Sequence, residues 1–384
     1  MKITHVNVRI MHVPGPGGHS PRRNWIFVFI KTDVGITGVG EATTEYHEQA
    51  VASMIEAHLQ PMLIGQDPTR IEFLWQQMQR RFWWRGGVVA SSAISGVDQA
   101  LWDITGKAFN QPVYRLLGGA VRDQVRLYAR TDLGLDNFSD EVQAAIAEGF
   151  SAFKIGYAPM KGVFDDSAQV DVTLHAVEQV RQSAGPDLDL MIDCAGVFSL
   201  QSAVRLVDGL KAIPMFFVEE PVNIDTPEEL ARLRQVFPGV RFATGERLTT
   251  RWAYRQWLEQ QTVDVIQPDI SHCGGISELM KIAHYAEVYN VRVAPHNPYG
   301  PVALAAAAHA CAAMQNFLIL EHCRLRPWFD DVQEIGPYVN KGGVSLDERP
   351  GLGVDLNMDV IEQHPYQLLP LSDYRDRWGG VPLL

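Results

Sequence analysis

The feature that most constrains the fold is a series of eight short apolar segments, which recur from VRLYAR at 125–130 to FLILEH at 317–322. Amphipathic helical patterns separate them. Six successive segments end in an ionisable residue, and neighbouring ends lie 23 to 27 residues apart: Asp193, Glu219, Glu246, Asp269, His296 and Glu321. This interval is about the length of one βα unit. The pattern therefore predicts an α/β fold and favours a parallel (β/α)8 TIM barrel over a doubly wound sheet.

The first part of the chain follows a different pattern. Residues 2–12 and 25–31 read as strands, and a Gly- and Pro-rich loop separates them. Helical spacing follows, and a small-residue helix at 90–110 is predicted to be buried and to end at LLGGA. The C-terminal stretch PGLGVDLNMDV is expected to form a strand that returns to the first domain. We predict three parts: an α+β domain at 1–123, a barrel domain at 124–325, and a C-terminal segment at 326–384.

Composition excludes several classes of function. Hydrophobic residues make up 46% and charged residues 20% of the chain, which is typical of a globular protein. The formal net charge of −12 argues against nucleic acid or an anionic membrane as a partner. No apolar run reaches the ~18–20 residues that span a bilayer, and the N-terminus lacks a signal-peptide pattern, so a cytoplasmic location is expected. The four cysteines show no CxxC spacing and are not expected to form disulfides.

The six strand-end residues are expected to meet, because parallel barrel strands present their carboxyl ends at one mouth. Three of them, Asp193, Glu219 and Glu246, are carboxylates on consecutive strands. Three facing carboxylates repel one another in a dry site, and a bound cation removes that cost. Oxygen ligands without thiolate or imidazole suit Mg²⁺, with Mn²⁺ as a substitute. Taken singly, each carboxylate has an equally good role as a helix cap or an arginine partner; the repeated pattern favours a metal site.

The next two strand ends predict a catalytic pair. A carboxylate such as Asp269 that accepts one imidazole N–H of His296 fixes the tautomer and raises the basicity of the other nitrogen, which is the arrangement of a general base. Lys154 ends the strand before Asp193 at the same height. In a dry site near a cation its charged form would be disfavoured, which would make it a second base; its other role is a fixed cation that holds a substrate carboxylate.

Several segments together resemble one family: IGQDPTRIEFLW, RGG at 85–87, SAISGVDQALWDITGK, FKIGY, MIDCAG, VEEP, GER, IQPDISHCGGI, APHNPYGPVALAA and PGLGV. They resemble the mandelate racemase and muconate lactonizing enzyme-like branch of the enolase superfamily, closest to its galactonate dehydratase type. The resemblance covers nearly the whole chain. It implies a modified barrel with an N-terminal capping domain, and related enzymes act on sugar acids.

The resemblance also implies roles for individual residues. Asp193, Glu219 and Glu246 would bind Mg²⁺, the Asp269–His296 dyad would act as acid and base, and Glu321 would hydrogen-bond the substrate carboxylate. The loops at 14–25 and 41–48 would close over the site. The shared chemistry is removal of the proton next to a carboxylate, which a metal ion makes more acidic by stabilising the resulting enediolate. In a dehydratase the β-hydroxyl then leaves, giving a 2-keto-3-deoxy acid.

The sequence departs from the family pattern at two positions. Galactonate dehydratases carry a histidine two residues after the first metal ligand, where this chain has Ala195, so the leaving hydroxyl lacks that proton donor. Related racemases carry Lys-x-Lys, where this chain has Ala152 and Lys154. Three interpretations stay open. The first is a sugar acid dehydratase, in which either His296 returns the proton to the leaving hydroxyl (syn) or Lys154 supplies it (anti). The second is a racemase or epimerase that uses Lys154 and His296 on opposite faces, and the third is a non-catalytic relative that binds a sugar acid.

Further residues are candidates for binding the substrate, which is expected to be a small carboxylate; the family resemblance implies a sugar acid. They are Arg85, His19, Arg247, Asn297 and Tyr299. Arg85 and the loop residue His19 would supply local positive charge, although each has an equally good role as a loop anchor or a solvated basic residue. Self-association into a homo-oligomer is expected because related enzymes commonly associate.

Overall fold

The structure is a computed structural model that describes residues 1–15, 23–130, 138–156, 163–164, 166–324, 326–346, 348–369 and 375–376. The N-terminal part is an antiparallel sheet of three strands in the order β1-β2-β3 with a set of helices on one face. The strands are β1 Ile3–Val13, β2 Arg23–Thr32 and β3 Thr37–Glu41, and the helices are α1 Glu48–Ser53, a π-helical turn Met54–Leu59, α2 Gln60–Leu63, α3 Ile71–Arg80, α4 Val88–Phe109 and α5 Val113–Leu116.

Helix α4 is the central helix of this part and is buried along most of its length, as predicted. Strand β3 lies directly on it: a Cβ atom at Gly40 would come within 1.9 Å of the carbonyl oxygen of Gly96. Only glycine permits that approach. The predicted end of α4 at LLGGA is wrong, because the helix ends at Phe109 and Asn110 adopts the left-handed conformation that closes it.

The middle of the chain forms the predicted barrel. Its eight parallel strands are β4 Gln124–Arg130, β5 Ala152–Gly156, β7 Asp189–Asp193, β8 Phe217–Glu219, β9 Phe242–Thr244, β10 Val265–Ile266, β11 Arg292–Val293 and β12 Leu320–Cys323, and the short β6 Val163–Phe164 lies outside it. Strand β12 pairs with β4, and a bridge between Val293 and Phe317 joins β11 to the segment before β12. The helices are α6 Phe138–Ala147, α7 Asp166–Ala184, α8 Leu200–Leu210, α9 Pro227–Val236, α10 Thr250–Glu259, α11 Gly275–Val288 and α12 Pro301–Ala313.

One buried layer shows which side chains face the barrel interior. Each of the eight strand segments contributes one residue to it: Tyr128, Ala152, Met191, Phe217, Ala243, Val265, Ala294 and Ile319. Because alternate residues of a strand share a face, the residue two positions further along also points inward, one step closer to the mouth. That next layer consists of Arg130, Lys154, Asp193, Glu219, Gly245, Gln267, His296 and Glu321. The barrel thus places four of the six strand-end residues, together with Lys154, at one height.

The C-terminal segment contains β13 Gln333–Ile335, β14 Val339–Asn340, β15 Gly343–Ser345, β16 Asp355–Leu356, α13 Met358–Gln363 and β17 Arg375–Asp376. The stretch PGLGVDLNMDV does return to the N-terminal part, where the backbone N–H of Leu352 donates to Asp103 over 2.8 Å. Its strand β16, however, pairs with β13 of the same segment. The domain boundaries at 123 and 325 stay a prediction. No helix in the described ranges is long and apolar enough to cross a membrane.

Candidate active site

Three carboxylates converge at the barrel mouth. One oxygen each of Asp193, Glu219 and Glu246 lies within 4.8 Å of the others. Asp193 and Glu219 are buried, and Glu246 is partly exposed. Glu219 Oε1 and Glu246 Oε2 are shielded from solvent and have no hydrogen-bond partner among the described residues. Unpaired buried carboxylate oxygens are costly, so this cluster fits a hard divalent cation that would accept them as ligands.

Gly245 explains how Glu246 joins this cluster. Ala243 faces the barrel interior, so strict alternation would point position 245 inward and position 246 outward. Gly245 has φ +122°, outside the range of ordinary residues, and its carbonyl accepts a hydrogen bond from the Tyr254 hydroxyl over 2.6 Å. The alternation therefore breaks at Gly245, and the following residue turns toward the other two carboxylates.

Lys154 lies beside the carboxylate cluster and is fully buried. Its Nζ is 2.8 Å from Glu219 Oε2, 3.5 Å from Glu321 Oε1 and 4.0 Å from Asp193 Oδ2. Burial acts against its charge, but Glu219 and Glu321 outweigh that effect and raise the pKa of Lys154 well above its ordinary value. The sequence-based argument that a nearby cation in a dry site disfavours this charge stays a prediction, and the carboxylates that surround the ammonium group act in the opposite direction.

The predicted dyad is formed. His296 Nδ1 lies 2.5 Å from Asp269 Oδ2, and the other oxygen of Asp269 accepts the backbone N–H of Ser271 over 2.7 Å. His296 Nε2 faces the mouth, 3.3 Å from Glu246 Oε2 and 3.8 Å from Glu321 Oε2. Burial lowers the pKa of His296, but Glu246, Glu321 and the bond to Asp269 raise it to about 9. These surroundings favour the protonated imidazole, and a cation bound by Glu246 would offset part of that negative charge and favour the neutral form that a base needs.

Glu321 completes the mouth. It is fully buried and accepts the backbone N–H of Asn297 over 3.1 Å, with Arg130 Nη1 at 3.4 Å. Burial acts to raise its pKa, but Lys154 and His296 outweigh burial and lower the pKa of Glu321 to about 2. The group is therefore an anion that can accept, but not donate, a hydrogen bond.

The residues proposed for substrate binding have different surroundings. Arg85 is exposed on the loop between α3 and α4, and His19 lies outside the described residues. Arg247 pairs with Glu220 Oε2 over 2.6 Å at the rim. Asn297 is buried behind Glu321, and the Tyr299 hydroxyl bonds His272 Nε2 over 2.7 Å. The structure therefore brings Arg247, Asn297 and Tyr299 close to the mouth, whereas nothing in it draws Arg85 there.

Comparison with known proteins identifies the family. Residues 5–118 match the mandelate racemase / muconate lactonizing enzyme N-terminal domain, and residues 137–360 match the enolase C-terminal domain-like family. The chain belongs to the enolase superfamily.

Individual relatives agree with this assignment. D-galactonate dehydratase from Verminephrobacter eiseniae is 38% identical over 88% of this chain and 90% of its own length, and the enzyme of the same name from Ralstonia pickettii matches equally well. A candidate galactarate dehydratase from Agrobacterium radiobacter, an enolase crystallised with sodium and L-malate bound, has a TM-score of 0.89 and 32% identity over 99% of both chains. The predicted family and the fold of a barrel with an N-terminal capping domain are confirmed.

At Ala195, the position that departs from the family pattern, the backbone has left the strand conformation. Strict strand alternation from Asp193 would give positions 193 and 195 the same face. Strand β7 ends at Asp193, and Ala195 has φ +50°, so alternation no longer applies there. Its backbone N–H instead donates to Asp193 Oδ1 over 2.8 Å. Residue 195 thus supports a member of the carboxylate cluster through its backbone.

Sequence reasoning missed three polar residues of this superfamily site. Arg130 and Gln267 occupy the inward layer of the mouth, two positions after Tyr128 and Val265, so the alternation rule would have found both. Gln267 is fully buried, and neither side-chain polar atom has a partner in the described part of the chain. His272 follows the dyad aspartate by three residues and contacts both the capping part and Tyr299. Nothing in its local sequence indicates that position.

Proposed function

We propose that this enolase-superfamily chain is a lyase that dehydrates a sugar acid, an aldonate or aldarate, to a 2-keto-3-deoxy acid. The single observation that carries the proposal is the position of His296 Nε2, between a carboxylate of the cluster at 3.3 Å and Glu321 at 3.8 Å. A base at this position would lie next to C2 of a substrate whose carboxylate binds at the carboxylate cluster. The dehydratase relatives at 38% identity support the same reaction class.

We infer that Asp193, Glu219 and Glu246 hold Mg²⁺, with Mn²⁺ as a substitute. The donor set is entirely oxygen, and two of its buried oxygens lack a hydrogen-bond donor among the described residues. When bound, such a cation would lower the pKa of the carbon acid by offsetting the negative charge that develops beside the carboxylate. Lys154 adds a fixed positive charge at the same place.

His296 supplies the proton chemistry in this proposal. Its Nε2 removes the proton from C2, and the same imidazole then protonates the hydroxyl that leaves from C3 on the same face. The C2–H and C3–O bonds break, a C2–C3 double bond forms, and one water is released without any change of oxidation state overall. The enol that remains becomes the 2-keto-3-deoxy acid. Asp269 holds the imidazole in position, and Glu321 accepts a hydrogen bond from the substrate.

Other parts of the proposal concern binding. Arg247, Asn297 and Tyr299 near the mouth are proposed to contact the substrate directly or through their neighbours; Arg85 and His19 stay predictions. A homo-oligomeric state also stays a prediction.

The test is incubation of the Mg²⁺-loaded enzyme with a panel of aldonates and aldarates in D₂O. Dehydration predicts a semicarbazide-reactive 2-keto-3-deoxy product that contains deuterium. Deuterium exchange at C2 without loss of water would instead show a racemase or epimerase that uses Lys154 and His296. No exchange with any acid would favour the non-catalytic binding protein. The variant His296→Asn is expected to lose activity, whereas the exposed His284→Asn on α11 serves as the matched control.

A further inference from the structure

A chain of hydrogen bonds joins the capping part to the dyad. Ser92 of α4 contacts His272 Nδ1 over 2.7 Å, and His272 Nε2 contacts the Tyr299 hydroxyl over 2.7 Å. The rings of His272 and Tyr299 meet edge to face, with centroids 5.6 Å apart. The Tyr299 ring in turn lies 6.0 Å from the His296 ring. We call this the Ser92–His272–Tyr299 chain.

One carbonyl supports a direction for every bond in this chain. The Ser92 hydroxyl lies 2.7 Å from the carbonyl oxygen of Val88, which can only accept. With its single proton donated to Val88, Ser92 Oγ accepts the N–H of His272 Nδ1. A neutral His272 then has an unprotonated Nε2, which accepts the proton of the Tyr299 hydroxyl. Burial lowers the pKa of His272, which keeps it neutral.

Tyr299 has a second acceptor within reach. Burial raises the pKa of Tyr299, and the nearby Asp269 carboxylate, an alternative acceptor for the hydroxyl proton, raises it further. Asp269 already accepts the backbone N–H of Ser271 on Oδ1, and its Oδ2 accepts His296 Nδ1 over 2.5 Å. A hydroxyl proton directed at Asp269 would compete with His296 for this carboxylate. The Ser92–His272–Tyr299 chain directs that proton away.

We propose that Ser92 and His272 are positioning residues that hold the Tyr299 hydroxyl proton on His272, so that Asp269 stays reserved for His296. This inference rests on the proposed function, because it gives the dyad a catalytic role. Loss of His272 would turn the Tyr299 hydroxyl toward Asp269, weaken the Asp269–His296 bond, and leave His296 a poorer and less well oriented base.

The proposal makes a specific prediction about a double variant. His272→Leu should lower kcat by about tenfold or more with little change in KM, the range typical of lost supporting hydrogen bonds. Tyr299→Phe removes the competing hydroxyl and gives the reference kcat for this test, whatever contact Tyr299 makes with the substrate. His272→Leu/Tyr299→Phe should have about the same kcat as Tyr299→Phe, because the loss of His272 then releases no hydroxyl toward Asp269. A purely structural role for His272 would lower kcat equally in both backgrounds.

Ser92→Ala provides a milder perturbation that keeps the imidazole and therefore the packing. It should lower kcat less than His272→Leu does, and it should have no effect on kcat in the Tyr299→Phe background. Ser91→Ala is the matched control on the same helix, since the buried Ser91 hydroxyl has no partner among the described residues. It should leave kcat unchanged.

The downfield ¹H NMR signal of the His296 Nδ1 proton provides a readout that needs no substrate. It should be present in the wild type, in Tyr299→Phe and in the double variant, and weakened or lost in His272→Leu. If the wild type were inactive on every sugar acid, the proposed function would fail while this signal would still test the hydrogen-bond assignment. A double variant much slower than Tyr299→Phe, or a His272→Leu variant with normal kcat, would overturn the proposal.

Discussion

Replacing Gly245 by alanine tests why Glu246 can reach the carboxylate cluster. The backbone at this position has φ +122°, a region that is essentially restricted to glycine, and forcing another residue into it costs about 1–3 kcal/mol. The new Cβ would also lie 2.8 Å from Cε1 of Tyr254, whose ring is fully buried and cannot easily move. Overpacking of this kind adds about 1–3 kcal/mol.

The chain can relieve this strain by rotating the peptide at Gly245, which would move Glu246 away from Asp193 and Glu219. We therefore expect Gly245→Ala to lose roughly 2–5 kcal/mol of folding free energy, or to relax and bind divalent cations at least about tenfold more weakly. Urea unfolding measures the first effect, and Mn²⁺ titration followed by electron paramagnetic resonance measures the second.

Gly239→Ala is the matched control, because it lies just before the same strand and a Cβ there would meet no atom within 4 Å. It should change the free energy of unfolding by less than about 0.5 kcal/mol and leave Mn²⁺ affinity unchanged. A Gly245→Ala protein with wild-type stability and wild-type Mn²⁺ affinity would refute the reasoning that this glycine turns Glu246 into the cluster.

Two further predictions concern electrostatics. Lys154→Met should destabilise the metal-free protein by about 3–5 kcal/mol, because Glu219 and Glu321 lose their buried cationic partner. Mg²⁺ should therefore raise the melting temperature of the variant more than that of the wild type. An equal Mg²⁺ effect on both proteins would contradict this. Burial lowers the pKa of His322, which stacks on Phe150, to about 4. The unfolded chain therefore takes up this proton first as the pH falls below about 6.5, and stability is lost between about pH 6.5 and 4, by up to roughly 2 kcal/mol at pH 5. The urea midpoint of the wild type should fall from pH 7 to pH 5, and it should fall less in His322→Phe. An equal fall in both proteins would argue against a neutral imidazole at position 322.

The sequence was sufficient to predict the barrel and the residues at its mouth because both follow from one repeated interval. Each βα unit returns the chain to the same end of the barrel, so a polar residue every 23 to 27 positions must reach one site. Asp193, Glu219 and His296 also lie two residues beyond an inward-facing core residue, which strand alternation alone explains.

The remaining features depend on backbone conformation and on contacts distant in sequence. Ala195 and Gly245 both have positive φ angles, so the alternation rule no longer determines the direction of the residues at these strand ends. The charge of Lys154 depends on carboxylates from three other strands, which no local pattern reveals. The link from Ser92 to His272 spans 180 residues of sequence and appears only when the capping part packs on the barrel.

The most direct test of the account is anomalous diffraction from crystals grown with Mn²⁺. We predict one anomalous peak in the barrel mouth, within bonding distance of carboxylate oxygens from Asp193, Glu219 and Glu246, with His296 Nε2 close by but not a ligand. A peak elsewhere, or these three side chains directed apart with no ion between them, would contradict the central claim that consecutive strands of this barrel build one divalent-metal site.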